Sequence, residues 1–338
     1  MTGLSEPAAT DTSSEKDALR RIQASVKERL DAVTDEMAES VFHDAPLLAQ
    51  MGQHLMAMRG KMFRPTLVLL CSSVNDRSES RAVTLAAAVE LIHLATLVHD
   101  DAVDHSVLRR GMPTLNSLFT HQISVIMGDF LYSIALTKLV NLADIDALRA
   151  LTRASTEMTV GEMRQLAVND SLSFTEDDYY ALIRSKTASL MSAACEVGSL
   201  AGAREHREAL MQYGDALGMA FQIADDLIDY TEAQETTGKP TGLDLKEHKV
   251  TLPLIAALRV MTPAERARVD LLFDNDKPGD ADVAEVIRIV TANGGLEYAR
   301  EKGATFADQA REALAGLPDT VARQALFESI SYVMERHA

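Results

Sequence analysis

The apolar residues of this chain recur three and four positions apart from about residue 15 to the C-terminus, which is the period of an amphipathic α-helix. Stretches in which apolar and polar residues alternate, the pattern of half-buried strands, are almost absent. The 338 residues include only 17 Gly and 9 Pro, too few turn-forming residues for a sandwich or barrel of many short strands. The sequence therefore predicts an all-α fold, a large helical bundle.

The chain is expected to form one large domain behind a short tail. Residues 1–14 are polar and predict a flexible N-terminal tail, and no low-complexity linker divides residues 15–338, which predict a single all-helical domain. No window holds 18 uninterrupted apolar residues, so we expect no transmembrane segment and a cytoplasmic protein. The net charge of -17 and the absence of Trp disfavour binding to nucleic acid.

Two segments differ from the rest of the pattern. Residues 80–104 and 205–230 are apolar nearly all round the helix before each runs into a sudden acidic cluster. Helices of this kind belong in the centre of a bundle. The other predicted elements between and after them are helices over 114–141, 144–169 and 175–201 and a loop over 231–249.

The first acidic cluster is Asp100, Asp101 and Asp104 in the segment LVHDDAVD. Positions three and four apart lie on one helix face, so these carboxylates point the same way and oppose helix formation unless a cation binds them. Oxygen ligands at this density suit magnesium more than an all-protein calcium cage. The alternative for a single cluster of this kind is a solvated helix end.

The second acidic cluster has the same spacing of aspartates as the first. Asp225, Asp226 and Asp229 have the same internal spacing and also follow an apolar run, in FQIADDLIDY. Two equal acidic faces that end two core helices could oppose each other across a cavity. Six carboxylates there need several divalent ions, and several ions need a further polyanion, for which diphosphate is the simplest choice.

Basic residues that could bind such an anion lie near both clusters. Arg presents a bidentate fork to phosphate and Lys a point charge, although each one singly could be a solvated surface charge. His93 follows Glu90 by three residues, the unit of helical di-iron sites, but a second unit is absent and the favoured role is a hydrogen-bond donor or a satisfied core residue. The basic candidates are Lys61, Arg64, Arg109, Arg110, Lys186, Lys239 and Lys249.

At these residues the sequence resembles the trans-polyprenyl diphosphate synthases, the head-to-tail prenyltransferases of isoprenoid biosynthesis. Order and spacing agree over most of the chain. The matching segments are GKMFRP, ELIHLATLVHDDAVD, RRGMPT, MGDFLYSIAL, GEMRQL, KTASL, FQIADDLID and GKPTGLDLKEHKVTLP. Motifs for serine hydrolysis, the Walker loop and the dinucleotide fingerprint are absent, which disfavours those chemistries.

The resemblance implies a helical bundle of the isoprenoid synthase type around a deep central cavity, a homodimer, and three Mg²⁺ ions per active site. Isopentenyl diphosphate and an allylic prenyl diphosphate would be the substrates. The implied catalytic residues are Asp100, Asp101, Asp104, Lys186, Asp225 and Asp226, and Asp229 joins the aspartates as a metal ligand. The implied substrate-binding residues are Lys61, Arg64, His93, Arg109, Arg110, Thr187, Gln222, Lys239 and Lys249.

The sequence also gives a partial prediction of product length. Ala95 and Thr96 lie one helical turn before Asp100 and are expected to face the cavity below the metals. Synthases that this chain resembles use a bulky aromatic at the position of Ala95 to stop short products, so a product longer than geranylgeranyl is expected here. Met158 or Met163 would then stop the chain further down.

Two other interpretations stay open at this point. A class I terpene cyclase also ionises a prenyl diphosphate, but the second DDxxD segment and GKMFRP speak against it. A non-catalytic regulatory subunit of a heteromeric prenyl synthase would have no need to keep two acidic clusters.

Overall fold

The computed structural model describes residues 11–42, 45–58, 60–109, 111–166, 171–231 and 241–335, and these are mostly helical, which confirms the all-α prediction. The first half forms α1 (Asp11–Gln23), α2 (Lys27–Val41), α3 (Pro46–Ala57), α4 (Phe63–Ser72), α5 (Arg81–Val103), α6 (Leu115–Leu118), α7 (His121–Asn141) and α8 (Ile145–Leu166). The second half forms α9 (Glu176–Ile183), a π-helical turn (Arg184–Ala188), α10 (Ser189–Leu200), α11 (Arg207–Thr231), α12 (Leu243–Lys246), α13 (Leu252–Leu258), α14 (Pro263–Phe273), α15 (Asp280–Ala292), α16 (Gly295–Ala313) and α17 (Val321–Glu335).

The two acidic-ended helices lie at the centre, as predicted. On α5 the residues from Leu85 to Ile92 are all buried, so this helix is enclosed on every side. On α11 the two faces enter two different apolar clusters: Leu217 packs in the larger one and Ile223 in the one formed with the C-terminal helices. Apolar residues therefore bury the middle of both helices, while positions nearer the aspartates, among them His93, Thr96 and Gln222, are half-buried.

The predicted helix over 114–141 is wrong in one respect, because it is two helices. The hydroxyl of Thr114 accepts a hydrogen bond from the amide of Ser117 and starts α6, and that of Thr120 accepts from the amide of Ile123 and starts α7. Each threonine provides a separate N-cap, so the chain turns between them. The first helix also begins earlier than expected, at Asp11 rather than at residue 15.

A short hairpin that the helical pattern did not predict follows α5. Strand β1 (Leu108–Arg109) pairs antiparallel with β2 (Met112–Pro113), with Arg109 opposite Met112. His105, at φ +50°, turns the chain back at the end of α5. The hairpin therefore returns Arg109 toward the aspartates that α5 has just presented.

Two helices, α5 and α7, are long and apolar enough to cross a membrane by length and composition. Of their most apolar windows, 67% is buried in α5 but only 33% in α7. The burial of α5 is that of a core helix, because other helices surround it. The absence of a transmembrane segment stays a prediction. On α7 the large apolar side chains of Ile126 and Val140 are exposed among polar ones.

Close helix packing depends on glycine at two positions. A Cβ on Gly198 of α10 would lie 2.4 Å from the carbonyl oxygen of Val68 on α4. A Cβ on Gly218 of α11 would lie 2.5 Å from Cα of Ala188 in the π-helical turn. Both contacts are with backbone, which cannot rotate away, so these helices approach as closely as only glycine permits.

We expect Gly198→Ala to destabilise the fold by about 1–3 kcal/mol, because the added methyl group forces α10 away from α4. Thermal unfolding followed by circular dichroism would measure the loss. Gly316→Ala is the matched control, since a Cβ there meets nothing within 4 Å. Equal melting temperatures for the two variants would contradict the packing argument.

Candidate active site

The aspartates of the first cluster lie on the last turn of α5, where burial makes their charges costly. Asp101 is 4% exposed, and the Nε of Arg109 donates to its two carboxylate oxygens at 2.8 and 3.0 Å. Burial raises the pKa of Asp101, and Arg109 opposes that rise. Burial also raises the pKa of Asp100 to about 6, with Lys186 opposing and Glu162 adding to the rise. The cluster thus gathers more negative charge than its protein partners neutralise.

The second cluster, at the end of α11, uses its carboxylates in a different way. The hydroxyl of Tyr179 donates to one oxygen of Asp226 at 2.6 Å, and the amide of Gln222 donates to the other at 2.8 Å. Burial, followed by the charge of Asp244, raises the pKa of Asp226. Asp225 is exposed beside it. These three aspartates have the same spacing in sequence as those of α5. Their environments nevertheless differ from one another.

Asp229 holds the chain that follows α11. Its two oxygens accept hydrogen bonds from the backbone amides of Leu243 at 3.0 Å and Asp244 at 3.1 Å, so it caps α12. This contact folds Asp244 back beside the cluster. Burial, with the charge of Asp229, raises the pKa of Asp244 to about 6.

The π-helical turn connects the two clusters. Lys186 donates to Glu162 at 2.8 Å and to Gln165 at 2.9 Å, and it is close enough to Asp100 to affect the pKa of that carboxyl. The next residue, Thr187, donates to the side-chain oxygen of Gln222 at 2.8 Å. One turn therefore contacts the surroundings of Asp100 on one side and those of Asp226 on the other.

Lys249 provides a second connection. Its ammonium pairs with Glu247 at 2.6 Å and lies 3.9 Å from Asp244, and it also lies within electrostatic reach of Asp104. It thus stands between the end of α5 and the end of α11. The predicted opposition of the two clusters across a shared space agrees with these contacts.

A second basic group lies at the start of α4. The guanidinium of Arg64 lies 3.1 Å from Nε2 of His93 on α5. Because a guanidinium only donates, Nε2 of His93 accepts and the ring carries its proton on Nδ1. Lys61 is exposed next to them and forms an ion pair with Glu15 of α1.

Several predicted site residues give a different outcome. Arg110 and Lys239 lie outside the described residues. Ala95 is buried in the main apolar cluster, and the hydroxyl of Thr96 donates to the carbonyl oxygen of His93 at 2.8 Å. Of the two methionines expected to stop the product, Met158 is buried and Met163 is 64% exposed.

The structure adds four side chains to the predicted site. Glu162 and Gln165 hold Lys186, Tyr179 holds Asp226, and Asp244 adds a carboxylate. Their sequence signal was present, since Glu162 and Gln165 belong to GEMRQL and Asp244 follows a glycine in the basic segment. Their partners, however, come from other helices and could not be assigned by spacing.

Two cavities of the described part of the chain lie at the far end of the bundle, where α5 begins. One of about 480 Å³ is lined by Arg153, Glu196 and Arg207, and another of about 360 Å³ by Arg81 and Asp144. Their lining is charged and mutually paired, and neither borders the aspartates. The deep central cavity therefore stays a prediction.

Comparisons with known proteins agree with this geometry. The family model described as Polyprenyl synthetase matches residues 45–290. Octaprenyl diphosphate synthase of Escherichia coli (strain K12) is 35% identical over 320 residues, covering 94% of this chain and 99% of that protein. The crystal structure of a decaprenyl diphosphate synthase from Rhodobacter capsulatus has a TM-score of 0.89 at 38% identity, covering 95% of this chain and 99% of that one. A polyprenyl synthase from Caulobacter crescentus CB15, complexed with calcium and isoprenyl diphosphate, has a TM-score of 0.89 at 34% identity, covering 95% and 98%.

The raised pKa of Asp100 predicts a pH-dependent cost in the metal-free protein. The pKa rises from 3.8 to about 6 on folding, so this group stabilises the fold below about pH 4 and loses that contribution as pH rises through about 6. Asp100→Asn, which imitates the protonated form, should therefore raise the metal-free melting temperature at pH 7.5 but not at pH 4. Added Mg²⁺ should raise the melting temperature of the parent more than that of the variant.

The control for this measurement is Asp308→Asn on α16, which removes the charge of a 74% exposed carboxylate paired with Arg311. It should leave both the pH dependence and the Mg²⁺ response unchanged. An Asp100→Asn protein that is less stable than the parent at pH 7.5 would show that this carboxylate is not held at a cost.

Proposed function

Because the chain belongs to the polyprenyl synthetase family, we propose that it is a magnesium-dependent prenyltransferase that condenses isopentenyl diphosphate with an allylic diphosphate. The observation that carries the proposal is the pair of acidic helix ends, on α5 and α11, with the Lys186 turn between them. A separate basic group, Arg64 with His93, lies at α4. Two places for anions suit a reaction between two diphosphates, of which one departs and the other remains.

The oxygen ligands of the first cluster suit a hard divalent cation, although among the described residues no group of three or more His, Cys, Asp or Glu side chains is already arranged to hold a metal ion. Burial raises the pKa of Asp100 and Asp101, so their ionised forms carry a cost that a bound cation would offset. The full proposal is three Mg²⁺ ions held by Asp100, Asp101 and Asp104 together with Asp225, Asp226 and Asp229. The Caulobacter crescentus polyprenyl synthase is complexed with calcium and isoprenyl diphosphate, which supports the binding of both a divalent ion and a diphosphate here. Bound Mg²⁺ would neutralise the charge that develops on a departing diphosphate.

The chain's own residues would divide the two substrates between them. In the proposal, Arg109, Lys186, Thr187, Gln222 and Lys249 bind the allylic diphosphate, since they surround the aspartates and connect their two groups. The described residues that bind isopentenyl diphosphate are Lys61, Arg64 and His93. Lys239 on the allylic side and Arg110 on the isopentenyl side complete the two proposed sets.

The reaction follows from the charges. Cationic side chains stabilise the diphosphate as its bond to the allylic carbon breaks, and the double bond of isopentenyl diphosphate attacks that carbon. A proton is then lost to the departed diphosphate. The apolar residues of α5 below Asp100 would keep water away from the cationic carbon.

Product length is proposed to exceed geranylgeranyl. The relatives described above are octaprenyl and decaprenyl diphosphate synthases, and Ala95 of this chain is small where a stop would stand. Thr96 beside it is also small. Neither side chain could block a growing tail at that depth.

The proposal includes a homodimer. On α7, Ile126 and Val140 are 63% and 61% exposed, and on α8 Ile145 and Met163 are 55% and 64% exposed. Exposed large apolar side chains on two neighbouring helices favour a protein partner. A second copy of the chain would cover these side chains.

The test is an incubation of the purified protein with Mg²⁺, isopentenyl diphosphate and several allylic primers, with products resolved by chain length. We expect linear products beyond geranylgeranyl. Asp100→Asn and Asp225→Asn should each lower kcat at least about 100-fold, because each weakens the charge stabilisation of the leaving group. Asp308→Asn should retain the parent rate.

Other outcomes separate the alternatives. A cyclic hydrocarbon without consumption of isopentenyl diphosphate would indicate a terpene cyclase. A folded parent protein that gains activity only with an added synthase would indicate a regulatory subunit. Parent-like rates in both aspartate variants would show that the metal site is assigned wrongly.

Ala95→Phe tests the basis of product length. The aromatic ring should obstruct the tail below the aspartates while leaving the reacting end unchanged, so products should shorten and the first condensation should survive. Ala95→Ser, which adds little volume, is the control and should keep the parent distribution. An unchanged distribution in a folded Ala95→Phe protein would show that chain length is set elsewhere.

A further inference from the structure

Three separate parts of the chain meet at the side chain of Lys61. The carboxylate of Glu15 on α1 accepts a hydrogen bond from its ammonium group. The hydroxyl of Tyr332 on α17 donates to the same Glu15 oxygen at 3.3 Å, and the Tyr332 ring centroid lies 5.7 Å from the ammonium. Lys61 is thus held by one residue near each end of the described chain.

The Glu15 carboxylate accepts a hydrogen bond from the same ammonium group that is proposed to bind a diphosphate. Lys61 belongs to the basic group proposed to bind isopentenyl diphosphate, and its ammonium is a point charge that either anion can use. The side chains of Lys61 and Glu15 are 47% and 33% exposed, so a ligand from solvent can reach the pair. A pair this exposed is weak, and exchange of one anion for the other is therefore feasible.

Glu15 is not needed to hold α1 in place. The amide of Gln23 donates to the carbonyl oxygen of Lys61 at 2.9 Å and to the hydroxyl of Thr66 at 3.1 Å. Ile22 is 1% exposed in the main apolar cluster. These contacts anchor the helix independently of the ion pair, so the position of Glu15 has a consequence beyond packing.

We propose that Glu15 is an affinity-determining residue that competes with isopentenyl diphosphate for Lys61. The carboxylate takes one of the three N–H donors of the ammonium and draws it toward α1, so less of the group is available to the diphosphate, and its charge repels the bound anion. Both effects weaken binding of isopentenyl diphosphate and leave the allylic substrate unaffected. This inference rests on the proposed function, since it takes Lys61, Arg64 and His93 as the isopentenyl diphosphate pocket.

The experiment compares Glu15→Gln with Asp17→Asn in the full-length protein. Asp17 lies two residues away on α1 and pairs with Arg20, so its substitution removes the same charge without touching Lys61. Equilibrium dialysis with radiolabelled isopentenyl diphosphate measures Kd without turnover, and steady-state kinetics measure KM for both substrates. Glu15→Gln should lower Kd and KM for isopentenyl diphosphate about two- to fivefold, as expected for an exposed pair, and leave the allylic KM unchanged. Asp17→Asn should change neither.

A double-mutant cycle tests the route of the effect. In a Lys61→Met background, Glu15→Gln should tighten binding by less than in the parent, because the group for which the carboxylate competes is gone and only its repulsion of the anion remains. Equal tightening with and without Lys61 would overturn the inference, as would equal tightening by Asp17→Asn. Weaker binding by Glu15→Gln would show that the carboxylate positions Lys61 for the ligand and does not compete with it.

Arg64→Ala separates this inference from the function on which it rests. If Arg64→Ala and Lys61→Met both leave the Kd of isopentenyl diphosphate unchanged, the pocket is assigned wrongly and the proposed function fails at that point. If both weaken binding and Glu15→Gln leaves it unchanged, the pocket stands and the competition by Glu15 is wrong. Circular dichroism melting curves of each variant confirm that the comparison is between folded proteins.

Discussion

The cost of burying carboxylates at the ends of two central helices governs the arrangement around them. Asp101 and Asp226 are almost completely buried, and an unpaired charge in that position would be expensive. Each carboxylate therefore accepts two hydrogen bonds. Arg109 donates both bonds to Asp101, and Tyr179 and Gln222 each donate one to Asp226. The hairpin after α5 places Arg109 close to Asp101, and the packing of α9 against α11 places Tyr179 close to Asp226.

Much of the fold could be predicted because its signals are local. The all-round apolar character of α5 and α11 predicted their central position. At the start of α14 another local pattern, Thr262 followed three residues later by Glu265, forms both hydrogen bonds of a capping box. These features depend on a few neighbouring residues. The break between α6 and α7 was missed because Thr114 and Thr120 resemble ordinary helical threonines until their hydroxyls are seen to cap.

The sequence predicts which residues form the candidate site, but not which contacts each of them makes. Asp225, Asp226 and Asp229 have the same spacing as Asp100, Asp101 and Asp104, so sequence reasoning assigned all six to the metal ions. That assignment stays a proposal, and the structure adds that both oxygens of Asp229 accept hydrogen bonds from the first amides of α12, an arrangement that depends on where the chain returns after α11. Contacts of this kind join residues far apart in sequence, and no periodicity encodes them.

The basic residues at the site are held by acids, which follows from the balance of charge in the whole chain. With a net charge of -17, a cation at the surface finds a carboxylate more readily than it finds a counter-ion. Lys61 pairs with Glu15, Lys186 with Glu162, and Lys249 with Glu247. A diphosphate that binds here therefore exchanges with a carboxylate for part of the three N–H donors of each ammonium.

Such an exchange gains less free energy than filling an unpaired cationic pocket, since one ion pair is broken for each one formed. Divalent cations change that balance, because they bring positive charge that no resident carboxylate has yet neutralised. The acidic clusters and the paired lysines are thus two parts of one arrangement, in which binding of anions near α5 and α11 depends on binding of cations.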